Sequence, residues 1–341
     1  MAKILLGLDI GSQTIKAVQL SKDKNSATLL AAGFIATPAK TAILVSQNEE
    51  VVLGNSISRL VHDMKITTRD VSASLPTSQV ITRIIEVPFM SEAELDSSIK
   101  WEAEQYIPWQ LAKVKIDYSI IDKKESVSTM RVLLAAAPIT LIEKYMKIIS
   151  AAGLNPVSLE TEVLATARCL GINYPTLKTL LFTTIGATST EIGLLRDGVL
   201  IYSKTMPIGG NTLTRAISEE LGFELPQAEE YKKTYGLEED KLEGKIAKII
   251  SPFFTNIIEE MEKTVAYCKN QFPNEEITTS IVSGGSAKLP GLVLSITKSL
   301  GLDSQIVNPF LNINVDPNVL PVVSPDSPLY TTSIGLALKE I

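Results

Sequence analysis

LLGLDIGSQTIKAVQL runs from Leu5 to Leu20, and LLFTTIGATSTEIGLL runs from Leu180 to Leu195. In each stretch an apolar strand enters Ile-Gly, a small polar loop follows, and a second strand leaves. Self-similarity about half a chain apart is the mark of internal duplication and outranks any local assignment. Gly11 and Gly186 permit a close backbone approach that a side chain would block. The amides around Gly11, Ser12, Gln13 and Thr14, and around Gly186, Ala187 and Thr188, can then point inward as anion donors. Either stretch alone is an ordinary β-hairpin. Two of them facing each other, one per domain, form a clamp for a chain of phosphates, with Lys16 on the outgoing strand of the first. The copies differ at their centre, where Asp9 of the first is Thr184 of the second. Asp9 is placed to hold Mg²⁺ or its waters, because Mg²⁺ prefers carboxylates together with phosphate oxygens.

The chain has 341 residues, enough for two domains that each bury a core. Its net charge of -6 and the lack of a Lys/Arg run argue against a nucleic-acid partner. Cys169 and Cys268 lie far apart without metal spacing, which fits a reducing compartment and core positions. The amino terminus lacks the pattern of a signal peptide. No apolar run reaches the roughly 20 residues of a membrane helix. A soluble, cytoplasmic protein is expected, reaching a membrane only through a partner. The single histidine, His62, reads as structural or exposed, so a Ser-His-Asp or His-metal site is not expected. Neither a P-loop nor a G-x-G-x-x-G turn is present.

Three further segments fit a nucleotide. In SIVSGGSAKLPG a strand enters Gly284, Gly285 and Ser286, a turn against which a flat ring or ribose can lie. In MPIGGNTLTRAI, Gly209, Gly210 and Asn211 precede a helix. In QAEEYKKTYG, Glu229, Lys232 and Lys233 share one helical face. A carboxylate there can reach ribose hydroxyls and the lysine stems can flank a purine, although a solvated helix face gives the same pattern.

Between the first hairpin and the helix ETEVLATARCL lies a β-α-β-β-α-β pattern, about residues 81–158, read as an inserted module. Its first helix opens on a capping box of Ser91 with Glu94. The runs IIEVPF and YIPW read either as core and loop or as a groove for an extended peptide. The Pro-rich stretch NPFLNINVDPNVLPVVSPDSPLY reads as an irregular crossing back to the first domain, or as a partner loop.

This order of segments resembles the actin-like ATPase superfamily over almost the whole chain. Within it, LDIGSQTIK, WEAEQYIPW, TMPIGGNTLTRAI and SGGSAKLPGL are similar to the PilM family of type IV pilus assembly proteins, relatives of the division protein FtsA. The resemblance implies an α/β fold of two related actin-like domains around a central nucleotide cleft, with an inserted FtsA-type 1C subdomain. The implied domains are 1–178 plus 328–341, and 179–327. It further implies ATP and Mg²⁺ as cofactors, with Asp9 as metal ligand and Asp9 and Glu162 as catalytic acids. Catalytic members usually carry an acid in both hairpins. With Thr184 in the second place, ATPase activity is expected to be weak or absent, unless Thr184 is neutral drift. The implied partners are the amino-terminal peptide of PilN, bound between subdomains 1A and 1C, and the pilus motor ATPases. The implied location is peripheral to the inner membrane. An FtsA-like filament scaffold and a sugar kinase remain as alternatives, and the sequence leaves homo-oligomerisation open.

Overall fold

The structure is a computed structural model that describes residues 2–24, 26–38, 47–124 and 128–340. The chain forms two compact units. The first comprises residues 1–168, 199–203 and 332–341, and the second residues 169–198 and 204–331.

The first unit begins with β1 (Lys3–Ile10), β2 (Thr14–Lys22) and β3 (Ala27–Ala36), followed by α1 (Gln47–Asp63) and β4 (Asp70–Leu75). β1 and β2 form the first hairpin, with Asp9 opposite Lys16 and Ile10 opposite Ile15. After β4 come β5 (Ile81–Pro88), α2 (Glu92–Glu104), β6 (Val114–Lys124), β7 (Thr129–Pro138), α3 (Ile139–Ala151), β8 (Asn155–Thr161) and α4 (Glu162–Asn173). The main sheet has the order β3-β2-β1-β4-β8, and its last two neighbour pairs are parallel. Helix α3 buries Leu141, Tyr145, Ile148 and Ile149, the three-and-four spacing of a one-faced helix. They join Leu53, Ile57 and Leu60 of α1 and Leu6, Leu8 and Ala73 of the sheet in one core.

The inserted module is smaller than its sequence pattern implies. β5, β7 and β6 form their own antiparallel sheet, covered by Leu95, Ile99 and Ala103 of α2. The later α and β of the expected pattern belong elsewhere: β8 pairs with β4, and α3 lies in the main core. A βαββαβ string does not encode which sheet its last strand joins. Here the apolar face of α3 finds its complement on α1. The capping box is present, with Ser91 Oγ accepting from the Glu94 amide and the Ser91 amide donating to the Glu94 carboxylate. Ile107, Tyr106 and Trp109 of YIPW pack into the module core, as do Ile85 and Val87 of IIEVPF. Phe89 and Trp101 remain exposed, Trp101 by 73%.

The second sheet repeats the plan. Its strands and the helices around it are β9 (Thr179–Ile185), β10 (Thr190–Arg196), β11 (Val199–Met206, of which residues 199–203 group with the first unit), α5 (Gly210–Leu221), α6 (Leu225–Tyr235), α7 (Lys245–Gln271), β12 (Thr279–Ser283), α8 (Leu292–Leu300) and β13 (Asp303–Ile306). Sheet order β11-β10-β9-β12-β13 matches, strand for strand, the order of the first sheet. Gly193 lies opposite Phe182, and a Cβ at Gly193 would stand 2.2 Å from that ring. Cys169 and Cys268 are both buried, as core residues should be.

Apart from residues 199–203, the units divide at 168/169, inside α4, and at 331/332, just after the first residue of the last helix. The sequence expectation placed these divisions at 178/179 and 327/328. Side chains explain the first difference. Tyr174 Oη accepts from the Asn308 amide at 2.9 Å, and Asn173 Oδ1 accepts from the Asn312 amide at 2.9 Å. These bonds tie the end of α4 to the stretch after β13. That stretch forms α9 (Leu320–Val323) and a 3₁₀ segment, Ser324–Tyr330, within the second unit. Helix α10 (Thr331–Ala337) follows and, from Thr332 on, packs within the first unit. A Cβ on Gly7 would stand 1.9 Å from Ser333 O, and one on Gly335 would stand 1.7 Å from Ala165 O. Backbone thus meets backbone on both sides of α10.

Candidate functional site

Each hairpin closes in the same way. The Gly11 amide donates to Thr14 O at 3.1 Å, and the Gly186 amide donates to Ser189 O at 2.9 Å. These two amides therefore serve the turns themselves. Thr37 adds support to the first loop, donating through its hydroxyl to Gly11 O at 2.7 Å and through its amide to Gln13 O at 2.9 Å.

In the first unit three predicted residues come together. Asp9 is 5% exposed at the end of β1. Lys16 Nζ donates to its Oδ2 at 2.8 Å, and Ser74 Oγ of β4 donates to its Oδ1 at 3.0 Å. Glu162 opens α4 directly after β8, and Thr77 Oγ1 donates to its Oε2 at 2.8 Å. Burial, and then the negative charge of Asp9, push the Glu162 carboxyl up to about 7, against the opposing pull of Thr77 and Lys16. Tyr145 is a further neighbour. Burial and the charges of Glu162 and Asp9 raise its hydroxyl well above the usual phenol range. Nothing local marks Tyr145 in the sequence, where it reads as one apolar-face position of α3.

Among the described residues no group of three or more His, Cys, Asp or Glu could hold a metal alone. The pair Asp9 and Glu162 nevertheless suits a divalent cation shared with phosphate oxygens. Each Asp9 oxygen has one protein donor and keeps a second lone pair. A cation beside the pair would also relieve the Asp9 repulsion that adds to burial in raising Glu162. Mg²⁺ held by few carboxylates and completed by phosphate and water has this character.

In the second unit the predicted loops converge. Thr184 lies one residue before the end of β9, and its hydroxyl shares a 2.7 Å hydrogen bond with Ser283 of β12. The Gly210 amide donates to Gly186 O at 2.9 Å and the Asn211 amide to Ala187 O at 2.8 Å. Gly209 fits because a Cβ there would stand 2.7 Å from the Ala187 carbonyl. Gly284 has φ +87°, and a Cβ would stand 2.5 Å from Ile185 O. Gly285 and Ser286 continue into a short 3₁₀ turn, and Ser286 Oγ would lie 2.9 Å from a Cβ on Gly210. The loop tip holding Ala187 and Thr188 is thus packed on one side by the Gly209–Asn211 turn.

The helical face of Glu229, Lys232 and Lys233 divides in two. Lys232 is buried, while Lys233 has a side chain 71% exposed and pairs with Glu229 Oε1 at 3.2 Å. Burial raises the Glu229 carboxyl, but hydrogen bonds from Lys232 and Thr214 and both lysine charges outweigh it and hold Glu229 below its usual range.

A further residue escaped the sequence reading. Glu191 is the cross-strand partner of Thr184, in the register position that Lys16 holds opposite Asp9. It is 4% exposed. Aligning the two hairpins beyond their loops pairs Lys16 with Glu191 and would have found it. His62 sits with its side chain 89% exposed beside Asp63, away from this chemistry.

Comparison with known proteins gives the family and the fold. Residues 7–341 match the family model of type IV pilus assembly protein PilM. A solved PilM-PilN type IV pilus biogenesis complex is 28% identical with a TM-score of 0.86, over 98% of this chain and 97% of that one. Cell division protein FtsA of Neisseria meningitidis serogroup B (strain ATCC BAA-335 / MC58) is 21% identical over 269 residues, or 71% of this chain. The chain spans 62% of the length of that protein. MreB 5 of Spiroplasma citri bound to AMPPNP, 14% identical, matches in fold with a TM-score of 0.53 over 98% of this chain and 94% of that one. The chain has an actin-like α/β fold.

Proposed function

The chain belongs to the type IV pilus assembly protein PilM family, and on that basis we propose that it is an ATP-binding adaptor of the pilus inner-membrane assembly complex. The observation that carries this reading is the likeness, over nearly the full length of both chains, to a solved PilM-PilN complex. The adaptor binds the amino-terminal cytoplasmic peptide of PilN and so reaches the inner membrane through its partner. On the other side it engages the cytoplasmic pilus motor. Among the described residues no helix is long and apolar enough to cross a membrane, which suits attachment through a partner.

ATP is the ligand we assign to this chain, and each unit carries a hairpin loop of the kind that holds phosphate. Asp9 and Glu162 would hold Mg²⁺, which supplies positive charge against the phosphates. Lys16 orients Asp9, and Thr77 orients Glu162. Glu229, Lys233 and the Gly284–Ser286 turn serve the nucleoside. Thr184 brings no charge, and its hydroxyl is engaged with Ser283. Losing one positioned proton acceptor costs about 10²–10⁴-fold in rate. ATP then acts as a structural ligand, worth about 2.7 kcal/mol at a hundred times its dissociation constant.

Two measurements on purified full-length protein test this. Nucleotide released by denaturation is identified by mass, and a synthetic PilN amino-terminal peptide is titrated calorimetrically. Intact ATP and saturable peptide binding are expected. Protein that neither carries nor binds ATP defeats the nucleotide part. Absence of peptide binding defeats the adaptor part.

A further inference from the structure

Sequence spacing groups Lys232 with Lys233 as stems that flank a base beside a ribose-facing Glu229. Its surroundings give Lys232 a different task. The side chain is 6% exposed. Its ammonium donates to Glu229 Oε2 at 2.6 Å, to Thr214 Oγ1 at 2.9 Å and to Gly210 O at 3.0 Å. An ammonium has three hydrogens, and these three acceptors use them all. Lys233, the next residue, is largely solvated.

Gly210 is the first residue of α5, and both of its backbone polar groups are committed. Its carbonyl receives Lys232, and its amide donates to Gly186 O. The neighbouring Asn211 amide donates to Ala187 O, and the Thr212 amide to Gly209 O at 3.0 Å. The start of α5 therefore spends its first amides on the second hairpin and on itself. A Cβ on Gly210 would stand 3.2 Å from Lys232 Nζ, so glycine keeps the ammonium seated. One buried charge thus secures a turn, and that turn secures the tip of the hairpin.

We propose that Lys232 is a positioning residue that anchors the Gly209–Asn211 turn to α6 and through it fixes the Gly186–Ala187 loop, leaving Lys233 as the cation that a nucleotide reaches. This assignment rests on the reading that the second unit takes part in holding ATP. It separates two adjacent lysines that the sequence treats alike.

The test compares Lys232→Met, Lys232→Arg and Lys233→Met in the full chain. Amide hydrogen exchange is followed without nucleotide, and affinities for ATP and for adenosine are measured separately. Lys232→Met is expected to speed exchange at Gly210 and Asn211 roughly tenfold or more, the scale of a hydrogen bond to a charged group. Its ATP affinity falls further than its adenosine affinity, because the loop it loosens serves phosphate. Lys232→Arg keeps the charge, but its planar fork cannot seat on all three acceptors, so exchange rises to a lesser degree. Lys233→Met leaves exchange unchanged. Unchanged exchange in Lys232→Met, with ATP and adenosine affinity falling equally, makes Lys232 a direct ligand contact and overturns the proposal. If Lys232→Met does not fold, unchanged exchange in Lys232→Arg overturns it instead. Wild-type protein that binds neither ATP nor adenosine defeats the nucleotide reading, while the exchange comparison still decides whether Lys232 anchors the turn.

Discussion

Glu191 stands directly across the second hairpin from Thr184, where the first hairpin sets Lys16 against Asp9. Duplication has therefore produced two hairpins of opposite electrostatic design. The first pairs an acid with an ammonium at 2.8 Å. The second pairs a hydroxyl with an acid and ties that hydroxyl to Ser283.

Thr184→Asp tests the consequence. The new carboxylate loses the Thr184 hydroxyl bond and faces Glu191 with like charge, which destabilises a cross-strand pair. A stability loss of about 1–3 kcal/mol is expected from denaturant midpoints. Single-turnover ATP hydrolysis is expected to rise about 10²-fold, the lower end of what a positioned proton acceptor provides. Wild-type turnover already within the enzymatic range of about 1–10³ s⁻¹ would remove the argument from Thr184.

Lys16→Met should be costly because the pair it breaks is screened from water, with side-chain exposures of 13% and 7% for Lys16 and Asp9. Removing one partner of a buried pair costs about 3–5 kcal/mol. Urea unfolding of the nucleotide-free protein measures this. A loss below about 1 kcal/mol would mark the pair as a surface contact.

Glu162 gives the fold a pH dependence whose sign follows from its raised carboxyl. Its value is about 7 in the folded protein against a reference of 4.5, so the folded state binds the extra proton between those values. The contribution is fully present below the unfolded value and is lost as pH rises through about 7. The thermal midpoint of nucleotide-free protein should fall across that window in wild type. Glu162→Gln, which cannot ionise, should fall less. Parallel curves for the two proteins would show that Glu162 does not titrate there.

Gly335→Ala probes the seating of α10. Its new methyl would stand 1.7 Å from Ala165 O, so backbone must move. The expected loss is about 3 kcal/mol, the upper end of ordinary overpacking. Chemical denaturation measures it, and a loss of a few tenths would show that α10 is loosely held.

Much of this arrangement is legible along the chain. The matched strand orders follow from the repeated hairpins, because a period-two apolar pattern interrupted by Ile-Gly and a small loop has few other solutions. Gly209, Gly210 and Gly284 stand out because glycine at a strand-to-helix turn signals close backbone approach. A methyl group added at each would collide with Ala187, Ser286 and Ile185 in turn. The Ser91 capping box depends on four consecutive residues and is therefore readable locally.

Other features belong to the folded chain. The pattern of α3 shows that one face is buried, but not that Tyr145 on that face ends beside Asp9 and Glu162. The same pattern does not show that β8 leaves the inserted module for β4. Lys232 and Lys233 are neighbours of one type, and only the position of Gly210 and Thr214 on α5 makes one a buried anchor and the other a solvated cation. Periodicity and backbone freedom are local properties, so the duplication, the glycine turns and Asp9 can be read from the order of residues, whereas Glu162 entered only through the family resemblance. Which charges lose their water, and which acceptors they then meet, depends on segments that come together only when the chain has folded.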